Sequence, residues 1–232
     1  MADRSDDGTP RIPLFPLAEV VHFPRTELRL QFAEPRYRRM VEDVITQREE
    51  ARWIGVVLLK SGRRPAPGVE PEIYPAGTAG RLMDAELLPG GEAQILLHGE
   101  FRFELYREVG GDRYREALVR PVEEPLVDER DAGIVAVRQG ILRLLRSLAE
   151  DLGEHFPIAA EQVEELGEIR RFEELVNRIA AELDLPAPRK LQLLYEGLPE
   201  RGLSVLSILR SRRQVIELLR PYRHLAGGSP LN

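Results

Sequence analysis

The period of the apolar residues changes once along this chain, and that change limits what it can fold into. Up to about Val122 apolar and polar residues alternate in short runs, as in strands with one face in a core. Beyond Pro121 and Pro125 the apolar positions recur at about 3.6 residues, as in amphipathic helices. The strand signals fall at 27–32, 53–59, 76–87, 93–98, 100–109 and 113–122. Gly90-Gly91 and Gly110-Gly111 mark hairpins, because residues tolerant of positive φ suit tight strand reversals. Many short strands with closely spaced turns predict a small barrel.

One helix interrupts the strands. Pro35 suits a first helical turn, and Tyr37, Met40, Val41, Val44 and Ile45 then make one apolar stripe. In the second half Ile134, Val137, Ile141, Leu145 and Leu148 define a long helix, and Phe172, Leu175, Val176, Ile179 and Leu183 another. Pro186 and Pro188 set off a short helix with Leu191 and Leu194. A last helix follows Pro199 and carries Leu206, Leu209, Val215, Ile216 and Leu219. The expected fold class is α+β: a barrel over residues 11–122 with one inserted helix, a helical bundle over 123–221, and tails at 1–10 and 222–232. The wide apolar stripes of the bundle helices predict that the two parts rest on each other.

The 232 residues are 43% hydrophobic, enough to bury most of their apolar surface. No apolar run approaches the roughly 18 residues that span a bilayer, and the polar, acidic start is unlike a signal peptide, so a cytoplasmic location is expected. The chain has no cysteine, which removes disulfides, thiolate nucleophiles and thiolate metal sites together. A net charge of −6 argues against a surface devoted to nucleic-acid phosphates. Arginine supplies 31 of the 33 basic residues, giving guanidinium groups suited to bidentate carboxylate pairs and aromatic stacking.

The search for chemistry returns little. No GxxxxGK[ST] loop, Gly-x-Ser-x-Gly or His-Glu-x-x-His is present, so neither ATP hydrolysis nor a known hydrolase constellation is expected. Ser204 and Ser207 lie on a predicted helix, without a motif that would link them to Lys190. The four histidines, His22, His98, His155 and His224, are scattered without ligand spacing. Glu161, Glu164, Glu165 and Glu168 read as a solvated helix face. No cofactor, metal or catalytic residue is therefore assigned. On residues 100–109, Phe101, Phe103 and Leu105 alternate with Arg102 and Glu104, which places the former in a core and the latter in water. The stretch 62–75 is longer than a barrel connection needs, and a loop of that length is either a binding element or disordered. The candidate binding residues are Arg36, Arg64, Pro67 and Tyr74.

Three apolar signatures carry a family resemblance. They are Ile12-Pro13-Leu14-Phe15-Pro16-Leu17 running on to Val21-His22-Phe23-Pro24, then Phe32-Ala33-Glu34-Pro35-Arg36-Tyr37-Arg38, then Gly77-Thr78-Ala79-Gly80-Arg81-Leu82. In this order and spacing, and with Gly99-Glu100-Phe101-Arg102-Phe103-Glu104-Leu105 further on, the chain resembles the N-terminal substrate-recognition domain of the Lon ATP-dependent proteases and its free-standing relatives, over residues 11–220. Two positions depart from the pattern. Arg25 stands where that family usually has glycine, and Gly80 where it often has alanine.

The resemblance implies a PUA-like pseudobarrel followed by helices. It also implies a non-catalytic protein that recognises unfolded or extended polypeptide in protein quality control, with a protease or chaperone as a further partner. With no motor or protease sequence in the chain, action by binding alone is expected. The expected place is the crevice between barrel and bundle, with the 62–75 stretch at its rim. An RNA-binding PUA-like module and a small-molecule-binding protein are the alternatives.

Overall fold

The computed structural model describes residues 9–60, 70–88, 92–110 and 113–220. In chain order its elements are β1 (Arg11–Leu17), β2 (Glu27–Phe32), α1 (Pro35–Ile45), β3 (Trp53–Leu59), β4 (Ile73–Leu87), β5 (Ala93–Val109), β6 (Glu116–Val122), α2 (Ala132–Leu152), α3 (Ala160–Glu168), α4 (Phe172–Glu182), α5 (Ala187–Tyr195) and α6 (Leu198–Leu219). The fold is α+β, with six strands in one mixed sheet and six α-helices among the described residues. Two compact units divide them. The first takes in the chain up to Pro125 together with Asn177–Gly197, and the second Leu126–Val176 and the chain from Leu198 onward, so the boundary falls within α4.

In the first unit five strands close on themselves in the order β5-β4-β3-β1-β6, with β6 returning to β5, while β2 hangs on β5 outside that ring. The 17-residue β5 makes this possible. It pairs with β4 along most of its length, with β2 through its first residues (Phe32 opposite Ala93, Glu27 opposite His98), and with β6 through its last (Arg102 opposite Val122, Val109 opposite Glu116). β1 runs parallel to β3, Leu14 facing Gly55, and antiparallel to β6 only at Arg11, Ile12 and Pro13. Alternation then fills the interior: Ile12, Leu14, Val57, Phe103 and Val119 are each 1% exposed or less. α1 presses Tyr37, Met40, Val41 and Val44 onto Phe15, Ile54, Ile95 and Leu97 in a second cluster. Ile45, expected on the same stripe, ends the helix at 42% exposure.

Sequence periodicity places a break at Gly99, whereas β5 runs through it. The glycine serves a close approach instead: a β-carbon there would lie 2.2 Å from the carbonyl oxygen of Phe23. The turn 22–26 crosses the strand at this point and spends its polar groups on its neighbours. Thr78 Oγ1 donates to the His22 carbonyl (2.6 Å), Thr26 Oγ1 to that of Phe23 (2.7 Å), and Asn177 Nδ2 to that of Pro24 (3.0 Å). Arg25 N donates to Gly99 O, and Gly99 N to Thr26 O.

Arg25 closes this turn at φ +61°, in the left-handed region, which is why glycine suits the position. The substitution Arg25→Gly is expected to raise stability by about 0.5–1 kcal/mol, relief of about 1–2 kcal/mol of backbone strain being offset in part by the greater unfolded entropy of glycine. An unchanged or lowered urea midpoint would contradict this. The other departure, Gly80, faces the same turn: a β-carbon there would sit 3.1 Å from the ring of His22, which occupies that space.

His22 is 3% exposed, and burial, reinforced by the nearby His98, lowers its pKa to about 4, against the partly opposing hydrogen bond to Thr26 O. Because the folded-state value lies below the unfolded value of 6.5, the neutral ring favours folding and stability is complete above pH 6.5. It declines as pH falls toward 4, by about 3 kcal/mol in total. Urea midpoints between pH 7.5 and 4.5 should fall more steeply for this protein than for His22→Gln, and parallel curves would refute the assignment.

In the second unit Asp131 caps α2, its Oδ1 accepting from Gly133 N (2.8 Å) and Ile134 N (3.1 Å). Gly140 of α2 meets Leu206 of α6, and Gly202 of α6 leaves room for the ring of Phe172. α3 buries Val163 and Leu166 and exposes its glutamates, as expected of a solvated acidic face. The sequence stripe on α6 extends to Val215 and Leu219, yet these are 54% and 57% exposed. The reason is the length of α2. Its last turn is reached at the Arg213–Asp151 ion pair, so the end of α6 runs past the helix that would cover it. Among the described residues no helix is long and apolar enough to cross a membrane.

Candidate functional site

A cleft of about 400 Å³ opens in the first unit where β1 and β2 end side by side. Phe15, Pro16, Leu17 and Ala18 line it from β1 and the residue after, Leu30 to Glu34 from β2 and the approach to α1, Arg36 and Tyr37 from α1, and Leu59, Glu70 and Pro71 from the far side. Its floor is aromatic. Phe15 and Tyr37 stack with centroids 4.2 Å apart, and Phe32 meets both edge-on at 5.2 and 6.1 Å. The packing follows from local sequence: Pro35 starts the helix so that Tyr37, one turn in, points at the barrel rather than at water. Burial raises the Tyr37 pKa, which keeps the phenol neutral.

Arg36 stands at the mouth. Its Nε lies 2.9 Å from Glu34, its guanidinium reaches Glu70 at 2.9 Å, and it covers the Tyr37 ring at 4.8 Å. These partners outweigh the opposing effect of burial and raise its pKa, so the cation is permanent. Both carboxylates are more than half exposed, which makes the ion pairs positioning devices more than sources of stability. Pro71 is held by Arg115, which donates to its carbonyl (2.6 Å) while gripping both carboxylate oxygens of Glu108 with three hydrogen bonds. Such a site offers apolar contact and a rim on which one cation faces two carboxylates. Among the described residues its lining holds no Ser, Thr, Cys, His or Lys side chain, and no three His, Cys, Asp or Glu side chains converge as a metal site.

Of the four residues expected from sequence, Arg36 lines this cleft, and Arg64 and Pro67 lie outside the described residues. Tyr74 is elsewhere. It belongs to β4, which begins at Ile73 inside the stretch expected to be a loop, and its electrostatic neighbourhood is that of Tyr195, itself near Glu104 and Lys60. Sequence reasoning missed Phe15, Leu17, Leu30 and Phe32 as site residues. The available signal was Pro16, since proline within a strand marks an edge that lacks a partner.

A second expectation needs correcting. Arg102, placed in water by alternation, is 6% exposed. Its guanidinium donates to the carbonyls of Leu194 (2.6 Å) and Glu196 (3.0 Å) at the end of α5, and its Nε lies 2.8 Å from Glu124. The outer face of β5 is therefore covered at this position by α5, an element 90 residues further along that strand-level periodicity does not register. Lys190 of α5 likewise serves a helix end, donating to the carbonyl of Ala181.

The family model for the ATP-dependent protease La (LON) substrate-binding domain matches residues 11–211. The Lon protease of Flavobacterium johnsoniae is 26% identical over 209 residues, covering 89% of this chain and 25% of that protein. Lon protease 2 of Sorangium cellulosum is 28% identical over 148 residues, covering 60% of this chain and 18% of that protein. The chain thus spans about a quarter or less of the length of these relatives. Among solved structures, the N-terminal domain of the Mycobacterium avium complex Lon protease superposes with a TM-score of 0.67 at 14% identity, covering 86% of this chain and 98% of that one. A Lon N-terminal domain protein from Xanthomonas campestris gives 0.59 at 23% identity, covering 85% and 97%.

Proposed function

The chain belongs to the Lon substrate-binding domain family, and on that premise we propose that it binds unfolded or extended polypeptide without catalysing a reaction on it. The observation that carries this reading is the cleft between β1 and β2, where the half-buried Phe32, Leu17 and Leu30 present apolar surface over the buried rings of Phe15 and Tyr37. Such surface takes up side chains that a folded client would keep inside. Arg36 faces two carboxylates, both more than half exposed, so charge at the mouth is largely screened by water and weakly favours basic over acidic clients. Broad, modest affinity follows. A protease or chaperone that receives the captured polypeptide is the partner this role requires.

The test uses permanently unfolded, carboxymethylated α-lactalbumin as client. Phe32→Ala is expected to weaken its capture by about fivefold or more, the loss of one buried aromatic contact. Tyr106→Ala, an exposed aromatic on the opposite part of β5, is expected to leave it unchanged. Capture should persist from about 0.05 to about 0.5 M salt, because apolar contact is not screened. Equal loss in both variants, or binding of RNA with a steep salt dependence in place of the client, would defeat the proposal.

A further inference from the structure

The ladder of β2 with β5 runs from Glu27 opposite His98 to Phe32 opposite Ala93 without a register shift, while the β3–β4 and β5–β6 ladders each contain one and the β4–β5 ladder two. On its other side β2 pairs with no strand among the described residues. Antiparallel geometry turns the N–H and C=O of alternate β2 residues away from β5. β1 opens toward the same cleft, since β6 pairs with it only at Arg11, Ile12 and Pro13 and leaves Phe15, Pro16 and Leu17 with β3 alone. The inward side chains of β2 reflect the opening: Leu28, Leu30 and Phe32 are half-buried, whereas Leu14 and Leu97 of the closed ring are 0% exposed. No proline or bulge interrupts the β2 edge, and its exposed face carries only Glu27 and Arg29 as charges, one of each sign.

From these features we propose that β2 is a strand-addition site, at which an extended polypeptide lies in the cleft and pairs its main chain with the outer edge of β2. The inference rests on the reading of the cleft as a polypeptide site and adds how the polypeptide is held. An extended segment is the occupant whose chemistry matches both features at once. Its backbone satisfies the outward N–H and C=O groups whatever its sequence, and its alternate side chains meet the aromatic floor. A helical client has no free backbone groups to offer along its length. Recognition through the main chain also accounts for breadth, because the charges that line the mouth among the described residues, Arg36 with Glu34 and Glu70, are already engaged in ion pairs.

The probe is a fluorescent nine-residue peptide with valine and phenylalanine alternating with threonine and a lysine at each end. Two twins carry N-methyl groups on one or the other set of alternate residues. One twin is expected to bind about tenfold or more weakly than the parent and the other nearly as well, since only one set of amides faces β2. Hydrogen exchange should show new protection at alternate amides within Glu27–Phe32 when the parent is added. If both twins match the parent, strand addition is wrong and the polypeptide reading stands. Binding of carboxymethylated α-lactalbumin but not of the parent peptide also overturns strand addition. If neither binds, both readings fall. Protection of β2 that rises with protein concentration in the absence of peptide would assign the edge to a second copy of this chain and overturn the proposal.

Discussion

Arg102→Ala is expected to lower the unfolding free energy by about 3–5 kcal/mol, the loss typical when one partner of a buried charged pair is removed. The guanidinium joins three groups that have few other options. Two are carbonyls at the end of α5, which the helix itself cannot satisfy, and the third is Glu124, whose side chain is 15% exposed. Alanine leaves the carboxylate without its cation and the carbonyls without their donor, and opens a cavity where the side chain lay. Arg102→Lys should retain part of the stability, because an ammonium keeps the charge but cannot reach all three groups with one planar fork. Urea unfolding of both variants decides the matter. A loss below about 1 kcal/mol for alanine would mean that α5 does not depend on this side chain.

Gly99→Ala is expected to cost about 3 kcal/mol or more, at the upper end of what overpacking does. The added methyl would lie 2.2 Å from Phe23 O and 3.0 Å from Phe23 C and Pro24 Cα, all main-chain atoms that no side-chain rotation can move aside. Relief requires the 22–26 turn to lift from β5, which breaks the Arg25 N–Gly99 O bond (2.8 Å) and the Gly99 N–Thr26 O bond (2.9 Å). Gly110→Ala is the control, for a β-carbon there meets nothing within 4 Å. A lifted turn would also expose His22, so the variant should lose the steep decline of stability between pH 6.5 and 4. A Gly99→Ala midpoint equal to that of Gly110→Ala would show that the turn does not need this close approach.

The first part of the candidate site was legible as sequence and the rest was not. Glu34-Pro35-Arg36-Tyr37 announces a helix start with an aromatic pointing inward, and α1 begins at Pro35 with Tyr37 buried. That Phe15 and Phe32 meet this tyrosine depends on β1 and β2 ending beside each other, a matter of which strands pair, and pairing is settled between residues far apart in the chain. Tyr74 does not line this cleft: the stretch read as a loop becomes β4 from Ile73 onward, and that strand carries Tyr74.

Local alternation by itself determined β2 at Glu27–Phe32, and a continuous apolar run rich in β-branched residues determined β3 at Trp53–Leu59, because both patterns are written in consecutive residues. The 3.6-residue stripe likewise determined the buried face of α4, where Phe172, Leu175, Val176 and Ile179 are all 0% exposed. Only the tertiary structure decided that β5 continues through Gly99, that Arg102 is buried beneath α5, and that, among the described residues, nothing covers the end of α6 or pairs with the outer edges of β2 and part of β1. Periodicity states which face of an element is apolar. It does not state which other element, if any, arrives to cover it, since that depends on contacts whose residues lie tens of positions apart and become neighbours only when the whole chain has folded.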